Sequence, residues 1–221
     1  MRWTIPNILT VFRLLAALAV PAAYILFPSP YADWIAVVLF VTASLTDYLD
    51  GYLARKMNQV SKFGKMLDPI ADKAMVIIAI IIVVGLYQGS VMVLIPAVLI
   101  VFREVFVSGL REFLGADASE LKVTRLAKWK TTIQMIAIVC LMLSYAFGIE
   151  FDGRAHAMPS ELVMDILNNN ADDPLGIRTW YALFDWSSRI GLWGIWLAAV
   201  LTLITGIDYF RKSLPYLRED T

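Results

Sequence analysis

Six apolar stretches, each long enough to cross a lipid bilayer as a helix, limit what this chain can fold into. A transmembrane helix needs about 20 consecutive, mostly apolar residues. The stretches are Ile8–Phe27, Trp34–Ala54, Asp68–Tyr87, Val91–Leu110, Ile133–Ile149 and Arg189–Phe210. The composition agrees, because 59% of the 221 residues are hydrophobic and only 17% are charged. Lipid leaves the backbone groups of an isolated strand unpaired. We therefore predict an all-α integral membrane protein with six transmembrane helices.

The distribution of charge predicts the orientation, since short cytoplasmic loops are enriched in Lys and Arg. An even number of spans places both termini on one side, together with the basic loops at 56–67 and 111–130. The opposite side receives the acidic segment at about 148–188. We expect both termini to be cytoplasmic, and one domain over residues 1–221 with a non-cytoplasmic loop insertion at about 148–188. Within that loop, the sequence predicts a short helix over Ser160–Leu167 with Ser160 as its cap.

Two other features narrow the class of protein. The 19 basic and 19 acidic residues balance to zero net charge, so no basic surface indicates a nucleic-acid partner. The first apolar stretch continues past Arg13 to Phe27, which is too long for the apolar region of a signal peptide. We therefore expect this stretch to remain as the first helix.

Four aspartates lie inside or beside the second and third apolar stretches: Asp47, Asp50, Asp68 and Asp72. An Asp at the centre of a membrane helix costs roughly 2.5–3.5 kcal/mol on an insertion scale, and such residues mark functional sites. The spacings of three and four residues place each pair on one helix face. If the two helices are antiparallel neighbours, the carboxylates converge near the cytoplasmic helix ends. Hard oxygen ligands of this kind suit Mg²⁺ or Mn²⁺.

The start of the third helix also has a local signal. Asp68 followed by Pro69 is typical of an N-cap and a first-turn proline. We expect the helix to begin there and Gly64 to let the preceding loop turn.

The segment from Asp47 to Asp72 has the pattern D-x2-D-G-x2-A-R-x8-G-x3-D-x3-D. With every fixed position filled, it resembles the signature of the CDP-alcohol phosphotransferase family. Members of this family are integral membrane enzymes with six core helices. They transfer a substituted phosphate from a CDP-linked donor to an alcohol and release CMP. The resemblance covers about residues 3–147, with the final helix matching more loosely, and it does not include the outer segment.

The resemblance implies a role for each residue of the signature. Asp47, Asp50 and Asp68 would bind one or two divalent ions, Mg²⁺ or Mn²⁺. Asp72 would be the general base for the acceptor hydroxyl, with a further contact to metal. The CDP-donor site would contain Asp47, Gly51, Ala54, Arg55 and Gly64. Such a set is chemically reasonable, because two metals clamp a phosphoryl centre and a carboxylate beside a hydroxyl accepts its proton.

Further segments indicate one branch of the family. Residues 5–13 resemble its amino-terminal element, and residues 103–112 and 128–135 resemble the branch that transfers the phosphatidyl group of CDP-diacylglycerol to glycerol 3-phosphate. Arg103 lies in an apolar helix, where a lone cation is costly. Its neighbour Glu104 is at an adjacent position, which does not face it. The basic residues expected to bind the acceptor phosphate are Arg103, Arg111, Lys128 and Lys130. For the two lysines, anchoring to anionic headgroups is an equal alternative.

Other functions remain open from the sequence. One alternative keeps the reaction class and changes the acceptor, with phosphatidylglycerol or an inositol phosphate in place of glycerol 3-phosphate. An ion-coupled transporter also uses intramembrane carboxylates, but near the bilayer midplane. A structural scaffold gives no reason for four buried aspartates.

The resemblance finally implies where the protein acts and with what. Its partners would be CDP-diacylglycerol, glycerol 3-phosphate and membrane lipids, and it would form a homodimer. We expect a multi-pass protein of the bacterial inner membrane whose active site faces the cytoplasm.

Overall fold

The computed structural model describes the backbone of residues 4–56, 62–115 and 125–217. Within these ranges it describes the side chains except those at positions 6, 47–56, 65, 125, 127, 128 and 217. The described residues form seven α-helices and a short terminal 3-10 helix, without a strand among them. The helices are α1 (Ile5–Leu26), α2 (Tyr31–Lys56), α3 (Lys62–Leu86), α4 (Val91–Leu114), α5 (Arg125–Ala155), α6 (Ser160–Leu167) and α7 (Ile177–Ser213), and the 3-10 helix is Leu214–Leu217. The predicted all-α class is confirmed.

Five helices are long and apolar enough to cross a membrane by length and composition. These spans are Asn7–Leu26, Lys62–Leu86, Val91–Leu114, Trp129–Ala155 and Ile177–Tyr216. In α2 the apolar part with described side chains, Tyr31–Thr46, is shorter than a span. The described part of the chain thus supports a multi-pass membrane protein with five candidate spans.

The helices pack so that one end of the bundle brings four of them together. α1 lies against both α2 and α3, whereas α4 and α5 each pack mainly against α7. The α5–α7 contact is close because glycines of α7 face α5. A Cβ at Gly191 would lie 2.8 Å from the Leu141 side chain, and one at Gly194 would lie 2.9 Å from Ala137 Cβ. Glycine is therefore required for this spacing, as is common where membrane helices pack closely.

The third helix begins earlier than predicted. α3 starts at Lys62, so Asp68 is not its cap and Pro69 lies inside the helix. Gly64 is also inside α3 and is buried, and the prediction that it turns a loop is wrong. The local cap signal does not set the start of this helix, because tertiary context overrides weak local preferences. Pro69 removes one backbone donor of the helix, which does not end it here.

The segment at about 148–188 contains more helix than the expected loop. α5 continues to Ala155 and α7 begins at Ile177, with α6 between them. The N-cap of α7 is Gly176, and the carboxylate of Asp173, three residues earlier, accepts the backbone N–H groups of Ile177 at 2.7 Å and Arg178 at 3.0 Å. Some polar residues of this segment, such as Glu150, Asp152 and Asp185, lie on helices, whereas Asn168–Asn170, Asp172 and Asp173 lie in the connection between α6 and α7.

The short helix α6 is confirmed with its predicted bounds. Its N-cap, however, is Pro159, and Ser160 is the first helical residue. No side-chain hydrogen bond caps this helix. The prediction of Ser160 as the cap is therefore wrong by one position.

Candidate active site

A cavity of about 720 Å³ lies at the end of the bundle where α3 and α5 begin and α4 and α7 end. Five acidic and five basic side chains line it. The acidic ones are Asp68, Asp72, Glu104, Glu112 and Asp208, and the basic ones are Lys73, Arg103, Arg111, Lys130 and Lys212. Such a density of charge in an apolar protein indicates a site for charged ligands.

The cavity brings together part of the predicted site. Asp68 and Asp72 of the aspartate set line it, as do Arg103, Arg111 and Lys130 of the basic set. Gly64 is buried in α3 but is not part of the cavity wall. The remaining predicted residues have side chains outside the described part of the chain: Asp47, Asp50, Gly51, Ala54, Arg55 and Lys128. The backbone of the first five lies on α2 and that of Lys128 on α5.

The α3 aspartates are held by two residues of α1. Thr10 Oγ1 donates a hydrogen bond to Asp68 Oδ1 at 2.6 Å. One turn further along α1, the Arg13 guanidinium forms an ion pair with Asp72. Thr10 and Arg13 are about one turn apart on α1, and Asp68 and Asp72 are about one turn apart on α3, so the two pairs of side chains meet. These contacts fix both carboxylates at the cavity wall.

Sequence reasoning missed the roles of Thr10 and Arg13. Arg13 is the largest fully buried side chain among the described residues. Its charge inside the first apolar stretch was the available signal, since a buried cation in a membrane helix implies an anionic partner. The partner was unpredictable because it lies 59 residues away in sequence.

The donor atoms at this site suit a hard divalent cation. Asp68 and Asp72 offer carboxylate oxygens, the ligand type that Mg²⁺ and Mn²⁺ prefer. Among the described side chains, no group of three or more His, Cys, Asp or Glu residues converges as a metal ion needs. The helix that carries Asp47 and Asp50, α2, contacts α3. Asp68 and Asp72 are therefore the described residues whose oxygens would hold such an ion.

Opposite these carboxylates, a cluster of three charged residues joins α4 to α5. Arg103 Nη1 lies 3.1 Å from Glu104 Oε1, and Lys130 Nζ forms an ion pair with the same oxygen. The expectation that Glu104 does not face Arg103 is wrong, because both side chains are long enough to meet beside the helix. Gly206 of α7 makes room for the arginine, since a Cβ there would lie 3.1 Å from Arg103 Cγ.

The final helix contributes residues that the sequence did not single out. Arg111 Nε lies 3.4 Å from the Tyr209 hydroxyl, and its guanidinium lies 5.5 Å from the centre of the Tyr209 ring. Lys212 Nζ donates to Asp208 at 2.6 Å. These residues were missed because the resemblance was loose in this helix. Their spacing at 205, 208, 209 and 212 on one helix face was the signal present in the sequence.

Comparison with known proteins gives the same family along most of the chain. The model of the family described as CDP-alcohol phosphatidyltransferase matches residues 3–167. The match extends beyond residue 147, and therefore includes α6 in the outer segment.

Relatives with one shared name match the chain over most or all of its length. A CDP-diacylglycerol–glycerol-3-phosphate 3-phosphatidyltransferase from Cereibacter sphaeroides is 53% identical over 222 residues, which covers 100% of both chains. A protein of that name from Rickettsia bellii is 38% identical over 212 residues, 96% of each chain. One from Haemophilus influenzae is 40% identical over 147 residues, 66% of this chain and 78% of that protein.

These matches decide between the classes that the sequence left open. An ion-coupled transporter and a structural scaffold are both excluded by the family match and by full-length similarity to transferases. The resemblance to this family, which the aspartate spacing indicated, is confirmed. The chain belongs to the CDP-alcohol phosphatidyltransferase family.

Proposed function

We propose that this protein is an enzyme of phospholipid biosynthesis that transfers the phosphatidyl group of CDP-diacylglycerol to glycerol 3-phosphate. The products are phosphatidylglycerophosphate and CMP. The observation that carries the proposal is the cavity itself, in which the two α3 carboxylates share one space with a basic cluster. The names of the full-length relatives, including the one that is 53% identical, support the same reaction.

The reaction needs a group that takes a proton from the acceptor hydroxyl. We assign this role to Asp72, whose side chain is 52% exposed at the cavity wall. As the hydroxyl oxygen of glycerol 3-phosphate bonds to the lipid-bearing phosphorus, its proton passes to Asp72. The bond from that phosphorus to the oxygen of CMP breaks, and CMP leaves with the bonding electron pair.

The signature aspartates are the residues that would hold the divalent ions of this reaction. We assign Asp47, Asp50, Asp68 and Asp72 to one or two ions, Mg²⁺ or Mn²⁺. The family generally depends on a divalent metal, which when bound offsets the charge of the diphosphate and of the departing oxygen. Thr10 would keep Asp68 oriented toward this site through its 2.6 Å hydrogen bond.

The two substrates would occupy different walls of the site. The CDP-donor site is assigned to Asp47, Gly51, Ala54, Arg55 and Gly64. The acceptor phosphate is assigned to Arg103, Arg111, Lys128 and Lys130, three of which line the cavity. Arginine forks bind phosphate in a bidentate manner. An acceptor that carries a phosphate therefore matches this wall better than serine does.

The membrane arrangement that suits this reaction has six spans. α2 has 26 residues, and at 1.5 Å per residue its length is about 39 Å, enough to cross a bilayer. Both termini would then be cytoplasmic. The cavity lies at the bundle end where the basic residues Lys62, Arg111 and Lys130 lie near the ends of α3, α4 and α5, so the site would face the cytoplasm, where CMP leaves into water.

The domain organisation and the cellular location follow from this arrangement in the membrane. We propose one domain over residues 1–221, with the segment at about 148–188 on the non-cytoplasmic side. The protein would act as a homodimer in the inner membrane of a bacterium. Crosslinking of the protein in membranes, compared with crosslinking after solubilisation, tests the homodimer. Cysteine labelling from each side of the membrane tests the orientation.

The experiment that tests the function is CMP release by the purified protein in detergent–lipid micelles. The donor is CDP-diacylglycerol with Mg²⁺ or Mn²⁺, and the acceptors are glycerol 3-phosphate, inositol phosphate, phosphatidylglycerol and serine in parallel. We expect release only with glycerol 3-phosphate, and loss of release when a chelator is added. Release with inositol phosphate or phosphatidylglycerol instead would keep the reaction class and overturn the acceptor. No release with any acceptor from folded protein would reject the donor assignment.

A further inference from the structure

Glu104 is an acidic residue inside the basic wall of the cavity. Its carboxylate lies 3.1 Å from the Arg103 guanidinium and pairs with the Lys130 ammonium through the same oxygen. All three side chains are largely buried, with exposures of 18% for Glu104, 14% for Arg103 and 5% for Lys130. This cluster is the place where α4 and α5, which each pack mainly against α7, meet through charged side chains.

A carboxylate at this position cannot itself attract a phosphate, because like charges repel. Its effect on an anionic ligand therefore has to act through its partners. Arg103 and Lys130 lie close together with little solvent, and without a counter-ion they would repel each other and turn toward water. Two cations with one carboxylate leave a net charge of +1. The cluster thus keeps a positive charge available to a ligand while fixing the directions of both cations.

Room for this arrangement is provided by the neighbouring helices. Gly206 has no side chain where Arg103 passes, since a Cβ would approach Arg103 Cγ to 3.1 Å. Arg103 also keeps a buried donor, Nε, without a hydrogen-bond partner among the described residues. The guanidinium is therefore not saturated by Glu104.

We propose that Glu104 is a positioning residue of the acceptor site. Its carboxylate holds the Arg103 guanidinium and the Lys130 ammonium, which come from two helices, in the arrangement that binds the phosphate of the acceptor. This inference rests on the proposed function, which makes that wall of the cavity the acceptor site. It assigns no contact between Glu104 and the substrate.

The test is the kinetics of Glu104→Gln, which keeps the shape of the side chain and removes its charge. We expect the KM for glycerol 3-phosphate to rise about tenfold, the equivalent of losing one charge-assisted hydrogen bond. The KM for CDP-diacylglycerol and kcat should stay within about threefold, because only acceptor binding is affected. Glu104→Asp, whose side chain is one methylene shorter, should raise the KM for glycerol 3-phosphate less. This variant provides the test if the glutamine variant does not fold.

Glu150→Gln is the matched control. Glu150 is 20% exposed and accepts hydrogen bonds from Trp34 at 3.3 Å and from Arg154 at 2.5 Å, at the opposite end of the bundle. Glu150→Gln therefore removes a comparable ion pair by the same chemical change, but away from the cavity. We expect its KM for glycerol 3-phosphate to equal that of the wild type.

A double-mutant cycle separates positioning from a general structural effect. If Glu104 acts through Lys130, Glu104→Gln should raise the KM for glycerol 3-phosphate less in a Lys130→Met background than in the wild type. Equal rises in the two backgrounds would overturn the proposal. So would an unchanged or lowered KM in Glu104→Gln, or a parallel rise in the KM for both substrates.

Failure of the proposed function would be seen separately. It appears as absence of CMP release by the wild-type protein with glycerol 3-phosphate, before any variant is compared. An active wild type whose Glu104 variants keep its KM would reject only the positioning role.

Discussion

The Arg13 guanidinium on α1 forms an ion pair with the Asp72 carboxylate on α3, and the two side chains differ sharply in exposure. Arg13 is 1% exposed, whereas Asp72 is 52% exposed. The carboxylate is thus anchored by a buried cation on one side and faces the cavity on the other. A group that must accept a proton at a defined point needs such an anchor, because catalysis depends on geometry as well as on charge. Arg13 is therefore expected to act by positioning Asp72.

The first prediction concerns this pair. Arg13→Gln should lower kcat by at least about tenfold, since the loss of a charge-assisted contact frees Asp72 to move. Arg13→Lys, which keeps the charge but loses the planar fork, should retain more activity. CMP release at saturating substrates measures both. A kcat equal to that of the wild type in a folded Arg13→Gln protein would contradict the positioning role.

The second prediction separates the base from the metal ligands. Asp72→Asn should lower kcat by about 10²- to 10⁴-fold, the usual effect of losing a general base. Mn²⁺ binding, followed by electron paramagnetic resonance, should be largely kept, whereas Asp68→Asn should weaken it. Asp165→Asn is a control, because it makes the same change on an exposed face of α6. Equal loss of turnover and of Mn²⁺ binding in Asp72→Asn would make Asp72 chiefly a ligand.

The third prediction tests the basic wall. Arg103→Ala should raise the KM for glycerol 3-phosphate by about 10- to 100-fold, since an arginine–phosphate contact is lost. The KM for CDP-diacylglycerol should change little. Arg189→Ala removes an arginine that pairs with Asp185 at 2.8 Å on the surface of α7, and it should have no effect. An unchanged acceptor KM in Arg103→Ala would remove Arg103 from the acceptor site.

The fourth prediction uses the space beside Arg103. Gly206→Ala places a Cβ 3.1 Å from Arg103 Cγ, which forces the arginine to shift by a few tenths of an ångström. We expect the KM for glycerol 3-phosphate to rise roughly two- to fivefold, because small misplacements of binding groups already cost affinity. At Gly85 a Cβ would meet no atom within 4 Å, so Gly85→Ala serves as the control. Identical acceptor KM values in the two variants would show that Arg103 is insensitive to its packing against α7.

The aspartate spacing and the apolar stretches predicted the class, the family and most of the helices. Periodicity and residue type are local properties, and Asp68, Asp72 and Arg103 were recognised because charge is costly in apolar helices. What could not be predicted depends on how helices distant in sequence meet. The pairing of Arg13 with Asp72, and of Lys130 with Glu104, joins positions 59 and 26 residues apart.

The boundaries were less well predicted than the helices, for a related reason. The Asp68-Pro69 signal is local, whereas α3 begins six residues earlier, at Lys62. At the other end of the molecule, the carboxylate of Asp173 accepts backbone N–H groups in the first turn of α7. Hydropathy alone placed the start of that helix at Arg189 instead of Ile177.

The central claim is that the cavity binds the acceptor phosphate opposite the aspartates. The most direct measurement is an experimental structure of the wild-type protein with Mn²⁺ and glycerol 3-phosphate, with the metal located by anomalous scattering. The account predicts a Mn²⁺ signal at the carboxylates of Asp68 and Asp72, and phosphate density in contact with Arg103 and Lys130. Phosphate bound outside this cavity, or Mn²⁺ away from both aspartates, would contradict it.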